Sequence, residues 1–345
     1  MKMNHVFAPL ALGLATAGAA AQTPATLPDI NADDYFEGST GGTFGKKVQT
    51  ILPNSNRVAI GGFRVVYIVE NAVSAQVRAS YLPGRDTTAA HASMSVTLQG
   101  VDNATLQALT DKAYADFVAQ LKAAGREVVP AEQMQALYGQ LELAKTSPEA
   151  PYRKGDGRVG VAFSPTGMPL WWHNWDVGWG DAGFSQSNFK KFVSYSKDLD
   201  AFIIAPLIVV DFANRESSGN SSGLTSREAS VGAKLAMSVP AVDTFIAHAL
   251  EIKFGNLSKG DQANIHMTKR VKVDAEFATM TQIEEKKTTG FMAIMTGSSK
   301  SKSANTANTD NTRYSAAAGA ALNQATGALA KFFQQHPAAA AAPAQ

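Results

Sequence analysis

The segment that most restricts the fold is the run AFIIAPLIVVDF over residues 201–212, which is almost entirely apolar. A strand with one face in water alternates apolar and polar residues, whereas a strand buried on both faces is apolar throughout. This run therefore predicts a central strand in a sheet that is covered on both sides. Such a sheet needs helices to cover it.

The clearest predicted helix covers residues 103–124. Asp102 or Asn103 is suited to cap its start, and Gly125 is suited to end it in the left-handed conformation. A second helix is predicted over residues 131–144. The apolar residues of the first helix recur at intervals of three and four and form one stripe that faces a sheet: Leu106, Leu109, Ala113, Phe117 and Leu121.

Strand patterns lie on both sides of these helices. Residues 57–70 give a strand signal interrupted by two glycines, and residues 76–82 and 93–98 alternate apolar and polar side chains. The alternation becomes longer over residues 227–277 and predicts an antiparallel hairpin with one buried face and a turn at 255–262. Together these patterns predict an α/β (α+β) fold, with a mixed sheet flanked by helices, a long antiparallel β-hairpin and a C-terminal helix.

The amino terminus has the three-part pattern of a secretory signal peptide. Lys2 supplies the positive start, a short apolar run follows, and three alanines at 19–21 offer a cleavage site. The run is too short to span a bilayer. We therefore expect export, with a mature chain that begins near Gln22.

Composition restricts the compartment and the partners. The chain has no cysteine, so it can form no disulfide, and it cannot be lipidated at a cysteine as a bacterial lipoprotein is. Its formal net charge is +2 and its basic residues are scattered, which argues against nucleic acid as a partner. These features predict a protein of the periplasm or the outer membrane.

The domain organisation follows from the same patterns. Residues 297–312 contain no apolar side chain larger than alanine, which predicts a flexible loop. The predicted divisions are a signal peptide at 1–21, an extended lead-in at 22–56, a single α/β domain with hairpin excursions at 57–296, the flexible loop at 297–312, a C-terminal helix at 313–334 and a disordered tail at 335–345.

All four tryptophans of the chain lie in the run WWHNWDVGW. Exposed indole rings stack on sugars, and neighbouring polar side chains can bind sugar hydroxyls, so the run is a candidate glycan-binding surface. The alternative is a loop whose rings cover an open edge of the core. The candidate ligand-binding residues are Trp171, Trp172, His173, Asn174, Trp175, Asp176 and Trp179.

The sequence contains motifs that resemble catalytic sites, but they lack the structural context that catalysis requires. Residues 219–223 match the G-x-S-x-G pattern around Ser221, but that motif requires a strand-to-helix turn, and here it lies in a polar loop. His173 has no second titratable group at a useful spacing. His248 lies on the apolar face of a predicted strand and is interpreted as a core residue. The sequence therefore predicts no catalytic residue, no metal ligand and no cofactor.

The order of these features resembles the periplasmic α/β domain of the curli secretion channel family, which is related to the amino-terminal domain of TolB. The resemblance covers about residues 57–277. It rests on the strand NRVAIGGFRVVY, the helix that follows it, the paired valines Val128 and Val129 after Gly125, and the apolar strand DLDAFIIAPLIVVDF.

The resemblance implies a non-enzymatic envelope protein in which hairpins of several subunits combine in a membrane. Residues 74–98 and 227–277 are the candidate hairpins. The alternative for the longer one is a soluble meander, since Lys269 interrupts its apolar face. We therefore expect a role in assembly or secretion, as a homo-oligomer or with an envelope partner, at or near the outer membrane. The second hypothesis is glycan or peptidoglycan binding by the tryptophan run.

Overall fold

The computed structural model describes residues 26–40, 48–77, 89–141, 151–170, 186–220, 228–249, 260–288 and 298–338. Its helices are α1 (Val48–Ile51), α2 (Asn103–Ala123), α3 (Gln135–Tyr138), α4 (Gln186–Leu199) and α5 (Asn311–Gln335), with 3-10 turns at Ala32–Asp34, Leu52–Asn54 and Ala131–Met134. Its strands are β1 (Phe36–Thr40), β2 (Arg57–Ile60), β3 (Arg64–Val77), β4 (Ala89–Gln99), β5 (Glu127–Val128), β6 (Tyr152–Arg153), β7 (Val159–Phe163), β8 (Phe202–Asn220), β9 (Glu228–Ala249), β10 (Gly260–Met267), β11 (Val271–Val273), β12 (Thr279–Thr288) and β13 (Ser298–Asn308).

The 13 strands of the described residues form one mixed sheet, with the main order β1-β10-β9-β8-β3-β4-β13-β12. Strands β2 and β3 follow each other along one edge of β8, both parallel to it, and β9 runs antiparallel along the other edge. The short strands β5, β7 and β11 pair with β2, β3 and β9, and β6 pairs with β7. The predicted α/β class, with a mixed sheet and a C-terminal helix, is confirmed.

Strand β8 is the predicted centre of the sheet, and every residue from 201 to 213 is buried. The two glycines that interrupt the strand signal mark the step from β2 to β3. A Cβ on Gly61 would lie 2.4 Å from Cγ2 of Ile203 and 2.5 Å from Cε1 of Phe192. Glycine is therefore required here because helix α4 packs directly onto the sheet.

The predicted helix boundaries near residue 103 and residue 125 are confirmed. Asp102 accepts a hydrogen bond from the backbone N–H of Thr105 at 2.7 Å, and Gly125 has φ of +84°. Helix α5 begins in the same way, with Asp310 accepting from the N–H of Arg313 at 2.8 Å. Helices α2 and α5 pack against each other and against the sheet.

The prediction of a flexible loop at 297–312 is wrong. Strand β13 occupies Ser298–Asn308, lies parallel to β4 along its whole length and pairs with β12 on its other edge. The segment has no large apolar side chains, so its order comes from backbone hydrogen bonds on both edges. Helix α5 then begins at Asn311, two residues earlier than predicted.

The described part of the predicted lead-in, residues 26–40 and 48–56, is also more structured than predicted. Strand β1 pairs with β10, and Phe36, Ile51 and Leu52 are buried in the core. The second predicted helix, 131–144, is a 3-10 turn followed by the short helix α3 in the described residues. Both segments are stabilised by contacts with distant parts of the chain.

The predicted hairpin at 227–277 is partly confirmed. Strand β10 runs antiparallel to β9, with Gly260 opposite Ala249. Its second strand is shorter than predicted, because β10 ends at Met267 and the chain resumes as β11, which pairs further along the same edge of β9. The break includes Lys269, the residue that interrupts the apolar alternation.

Arg126 ties the C-terminal helix to the amino-terminal part of the domain. Its guanidinium donates to the carbonyl of Ser55 at 2.8 Å, to that of Phe333 at 3.1 Å, and to that of His336. Burial lowers the pKa of Arg126 to about 10. The side chain is thus a buried donor that satisfies the last carbonyls of α5.

Replacing Arg126 with methionine is expected to lower the free energy of unfolding by about 2 kcal/mol, because buried carbonyls lose charge-assisted hydrogen bonds. Urea denaturation measures this change. The matched control is Lys122→Met, since Lys122 is exposed near the end of α2. Equal stability of the two variants would show that the Arg126 contacts contribute nothing.

Candidate functional site

Three long β-hairpins extend from the described part of the sheet, β3–β4, β8–β9 and β12–β13, and β9 contacts both β3 and β4 although it pairs with neither. Strands β3 and β8 are parallel, and so are β4 and β13, whereas each hairpin is antiparallel within itself. These directions require the outer ends of all three hairpins to lie at the same end of the sheet.

The hairpins extend well beyond the strands that hold the core together. Pairing between β3 and β8 ends at Tyr67 opposite Val210, yet β8 stays paired with β9 as far as Asn220 opposite Glu228. Ten further residues of strand correspond to about 33 Å. The β3–β4 pairing continues in the same direction as far as Val77.

Among the described residues, several strand edges of this hairpin array have no strand partner: the outer edges of β9 and β12, and the edge of β8 over residues 211–220 that faces away from β9. Residues 228–236 of β9 pair only with β8, and β12 pairs only with β13. An unpaired edge presents backbone N–H and C=O groups that can pair with another chain. The two large apolar side chains exposed in the described part of the protein, Met280 and Ile283, both belong to β12.

Between the diverging β3 and β8 lies the turn that joins β6 to β7, residues 154–158. The N–H of Ala72 donates to the carbonyl of Gly157 at 3.2 Å. From the other side, Arg215 donates to the carbonyl of Asp156 at 2.8 Å and to that of Ala72 at 3.3 Å. The turn therefore bridges the two strands at the point where they separate.

Gly157 is required by this geometry. Its φ is +90°, and a Cβ there would lie 2.8 Å from the carbonyl oxygen of Ala72 and 3.1 Å from its Cβ. Residues with side chains rarely adopt this conformation, and the contact is with backbone that cannot move aside easily. The glycine allows the turn to approach β3.

Asp156 holds two guanidinium groups. Its Oδ2 accepts from Nε of Arg158 at 2.8 Å and from Nη2 of Arg215 at 3.3 Å. Partial burial acts to raise the pKa of Asp156, but hydrogen bonds from Arg158 and the charges of both arginines outweigh it and lower the pKa to about 2. Asp156 is therefore ionised at neutral pH and fixes the orientation of both arginines.

Asp211 lies deeper, at the end of the apolar run. It accepts from Nδ2 of Asn71 at 2.8 Å and from the N–H of Ala213 at 3.1 Å, and Nη1 of Arg158 is 3.9 Å from its Oδ2. Burial raises the pKa of Asp211, although these groups act to lower it. The carboxyl group is a buried anchor for the β3–β8 junction.

A cavity of about 650 Å³ opens beside this turn, between the β3–β4 and β8–β9 hairpins. We refer to it as the hairpin cleft. Four cationic and two acidic side chains line it, together with the five serines Ser74, Ser93, Ser95, Ser217 and Ser303. The cations are Arg158, Arg215, Arg270 and Lys302. The lining thus carries an excess of positive charge and many hydrogen-bond donors.

The residues predicted from the tryptophan run, Trp171 to Trp179, lie outside the described residues, and so does Ser221. The binding surface predicted there stays a prediction. His248 lies in the core as expected, with its ring centroid 4.9 Å from that of Phe202.

The hairpin cleft was missed in the sequence because its residues come from distant segments. Two signals were present. Asp211 interrupts an otherwise apolar buried run, and a buried carboxylate needs a cation or donors nearby. The sequence DGR at 156–158 also marks a turn that brings an acid and a base together. Neither signal identifies Arg215, Arg270 or Lys302 as neighbours.

The fold and the cleft define an α/β protein with a projecting array of β-hairpins. Comparisons with protein-family models, with curated proteins and with solved structures find no match. Among the described helices, none is both long enough and apolar enough to cross a membrane. The function is therefore inferred from the geometry of the chain itself.

Proposed function

We propose that the protein is an exported, non-catalytic protein of the cell envelope that acts in assembly or secretion by associating with copies of itself. The observation that supports this proposal is a pair of strand edges that have no strand partner among the described residues, residues 228–236 of β9 and the outer edge of β12. Edge strands of this length are normally shortened, covered or paired. Pairing between copies covers both edges.

The strand directions favour a head-to-tail contact. Strand β12 runs toward the outer end of the array and β9 runs away from it, so β12 of one copy meets β9 of the next as an antiparallel pair. Two different surfaces meet in such a contact, so the contact repeats from copy to copy. It produces a ring where the rotation closes and a filament where it does not.

Charged side chains on β12 make this contact selective. Its exposed residues include Glu284, Glu285 and Lys286 beside Ile283. Charges on an edge strand oppose indiscriminate pairing. To pair with β12, the edge of a second copy has to accommodate these charges. A strand from an unrelated protein does not accommodate them.

The location is part of the same proposal. The signal-peptide pattern at residues 1–21 supports export, and the absence of cysteine is compatible with an oxidising compartment in which no disulfide is needed. The resemblance to the curli secretion channel adds the expectation of a periplasmic or outer-membrane assembly.

The test is the mass of the mature chain by size-exclusion chromatography with light scattering, in buffer and in mild detergent. We expect a discrete species of several chains in at least one condition. The mass of a single chain in both conditions would contradict the proposal. If tryptophan fluorescence of that single chain then responds to peptidoglycan fragments, the glycan-binding hypothesis replaces it.

A further inference from the structure

The hairpin cleft has a composition that edge pairing does not explain. Its five serine hydroxyls and four cationic side chains are all able to donate hydrogen bonds, and its two carboxylates are both engaged by arginine or asparagine donors. A ligand that complements such a lining has many acceptor oxygens and a negative charge.

The floor of the cleft is already ordered. The side chains of Arg158 and Arg215 are only 14% and 24% exposed, and Asp156 holds both. Because these groups are fixed before a ligand arrives, little conformational entropy is lost when one binds. Asp156 and the nearby Asp211 hold these guanidinium groups in place, so the floor supplies a fixed set of donors and the surplus charge comes from the rim.

The rim adds charge that the floor does not balance. Within the lining, Arg158 and Arg215 are matched in number by Asp156 and Asp211, so the excess comes from Arg270 and Lys302. Arg270 is exposed and donates to Oδ1 of Asn214, and Lys302 is exposed on β13. Neither Arg270 nor Lys302 takes part in the hydrogen bonds that hold the turn at 154–158.

The size and lining of the cleft narrow the class of ligand. About 650 Å³ falls in the range of small-molecule sites. None of the described residues that line it is aromatic, so it offers no platform for a sugar ring or a nucleobase. We propose that the hairpin cleft binds a small, multiply charged oxyanion, with phosphate-bearing and polycarboxylate compounds sharing the required chemistry.

The test is isothermal titration of the mature wild-type chain with pyrophosphate and, separately, with citrate, at constant ionic strength. We expect saturable binding of one ion per chain for at least one of them, and the preferred ion distinguishes phosphate chemistry from carboxylate chemistry. Absence of saturable binding for both ions would overturn the proposal.

Rim variants identify the cleft as the location. Arg270→Gln and Lys302→Gln are each expected to weaken binding about fivefold, because each removes one charge-assisted contact, and the double variant more than tenfold. The control Lys122→Gln removes an equal charge from exposed α2 and should bind as the wild type does. Equal affinity in rim and control variants would place the ion elsewhere and overturn the assignment.

The two proposals, ion binding in the hairpin cleft and self-association of the chain, can be contradicted independently of each other. Titration counts ions per chain whatever the assembly, and light scattering of the same samples reports their mass. Unchanged unfolding temperatures of the rim variants would show that a loss of binding is not a loss of fold. Binding by a single-chain species would support the cleft while contradicting the assembly.

Discussion

Replacing Gly157 with alanine is expected to lower the free energy of unfolding by about 3 kcal/mol, which combines the cost of a left-handed backbone with that of a steric clash. The clash is specific, since the new Cβ would lie 2.8 Å from the carbonyl oxygen of Ala72. Relief requires the turn at 154–158 to move away from β3, which also weakens the hydrogen bond between Ala72 and Gly157.

Substitutions at two other glycines allow the cost of the left-handed backbone and the cost of the steric clash to be measured separately. Gly167 has φ of +84° with nothing near its Cβ position, so Gly167→Ala measures the backbone cost alone, about 1 kcal/mol. Gly155 lies in the same turn as Gly157 with neither constraint, so Gly155→Ala should be nearly neutral. Urea denaturation of the three variants gives the comparison. If Gly157→Ala is no worse than Gly167→Ala, the turn is not seated against β3.

The parts of the fold that could be predicted carry their information locally. Helix α2 has a capping aspartate, one apolar stripe and a terminal glycine, and each feature is visible within its own residues. Strand β8 has an unbroken apolar run because both its faces are buried. In both cases burial determines which positions are apolar. The apolar pattern in the sequence is therefore enough to predict the element.

The parts that could not be predicted depend on partners far away in the chain. Strand β13 consists mainly of serine, lysine, asparagine, alanine and threonine, and nothing in it distinguishes a loop from a strand. Its order comes from β4, about two hundred residues earlier, and from β12. The order of the lead-in likewise comes from β10 and from helix α5.

The hairpin cleft shows the same limit for a site. Asp156 and Arg158 are neighbours in the sequence, but Arg215 joins them only because β8 leaves the core beside β3. Arg270 and Lys302 come from opposite sides of the sheet order. A charge cluster assembled across a diverging junction leaves no spacing signal, so only Asp211 in its apolar run and the DGR turn at 156–158 indicate that a polar site exists.

Replacing Ile283 with lysine is expected to dissociate the assembly. Ile283 is 66% exposed at the irregularity in β12 where its register with β13 shifts, so it is available to a neighbouring copy. Burial of an isoleucine side chain contributes about 2 kcal/mol, so its loss weakens each contact more than tenfold. Light scattering should then show mass moving from the assembled species to the single chain at a concentration where the wild type stays assembled.

The control for Ile283→Lys has to add the same charge away from the edges. Gln133→Lys does so, because Gln133 is exposed in the 3-10 turn before α3, and that turn packs on β2 and α3. Both variants should keep the wild-type unfolding behaviour of the single chain, since neither position is buried. If both leave the assembly intact, β12 is not the contact. If both variants dissociate the assembly, association depends on the net charge of the chain. It then does not depend on the pairing of strand edges.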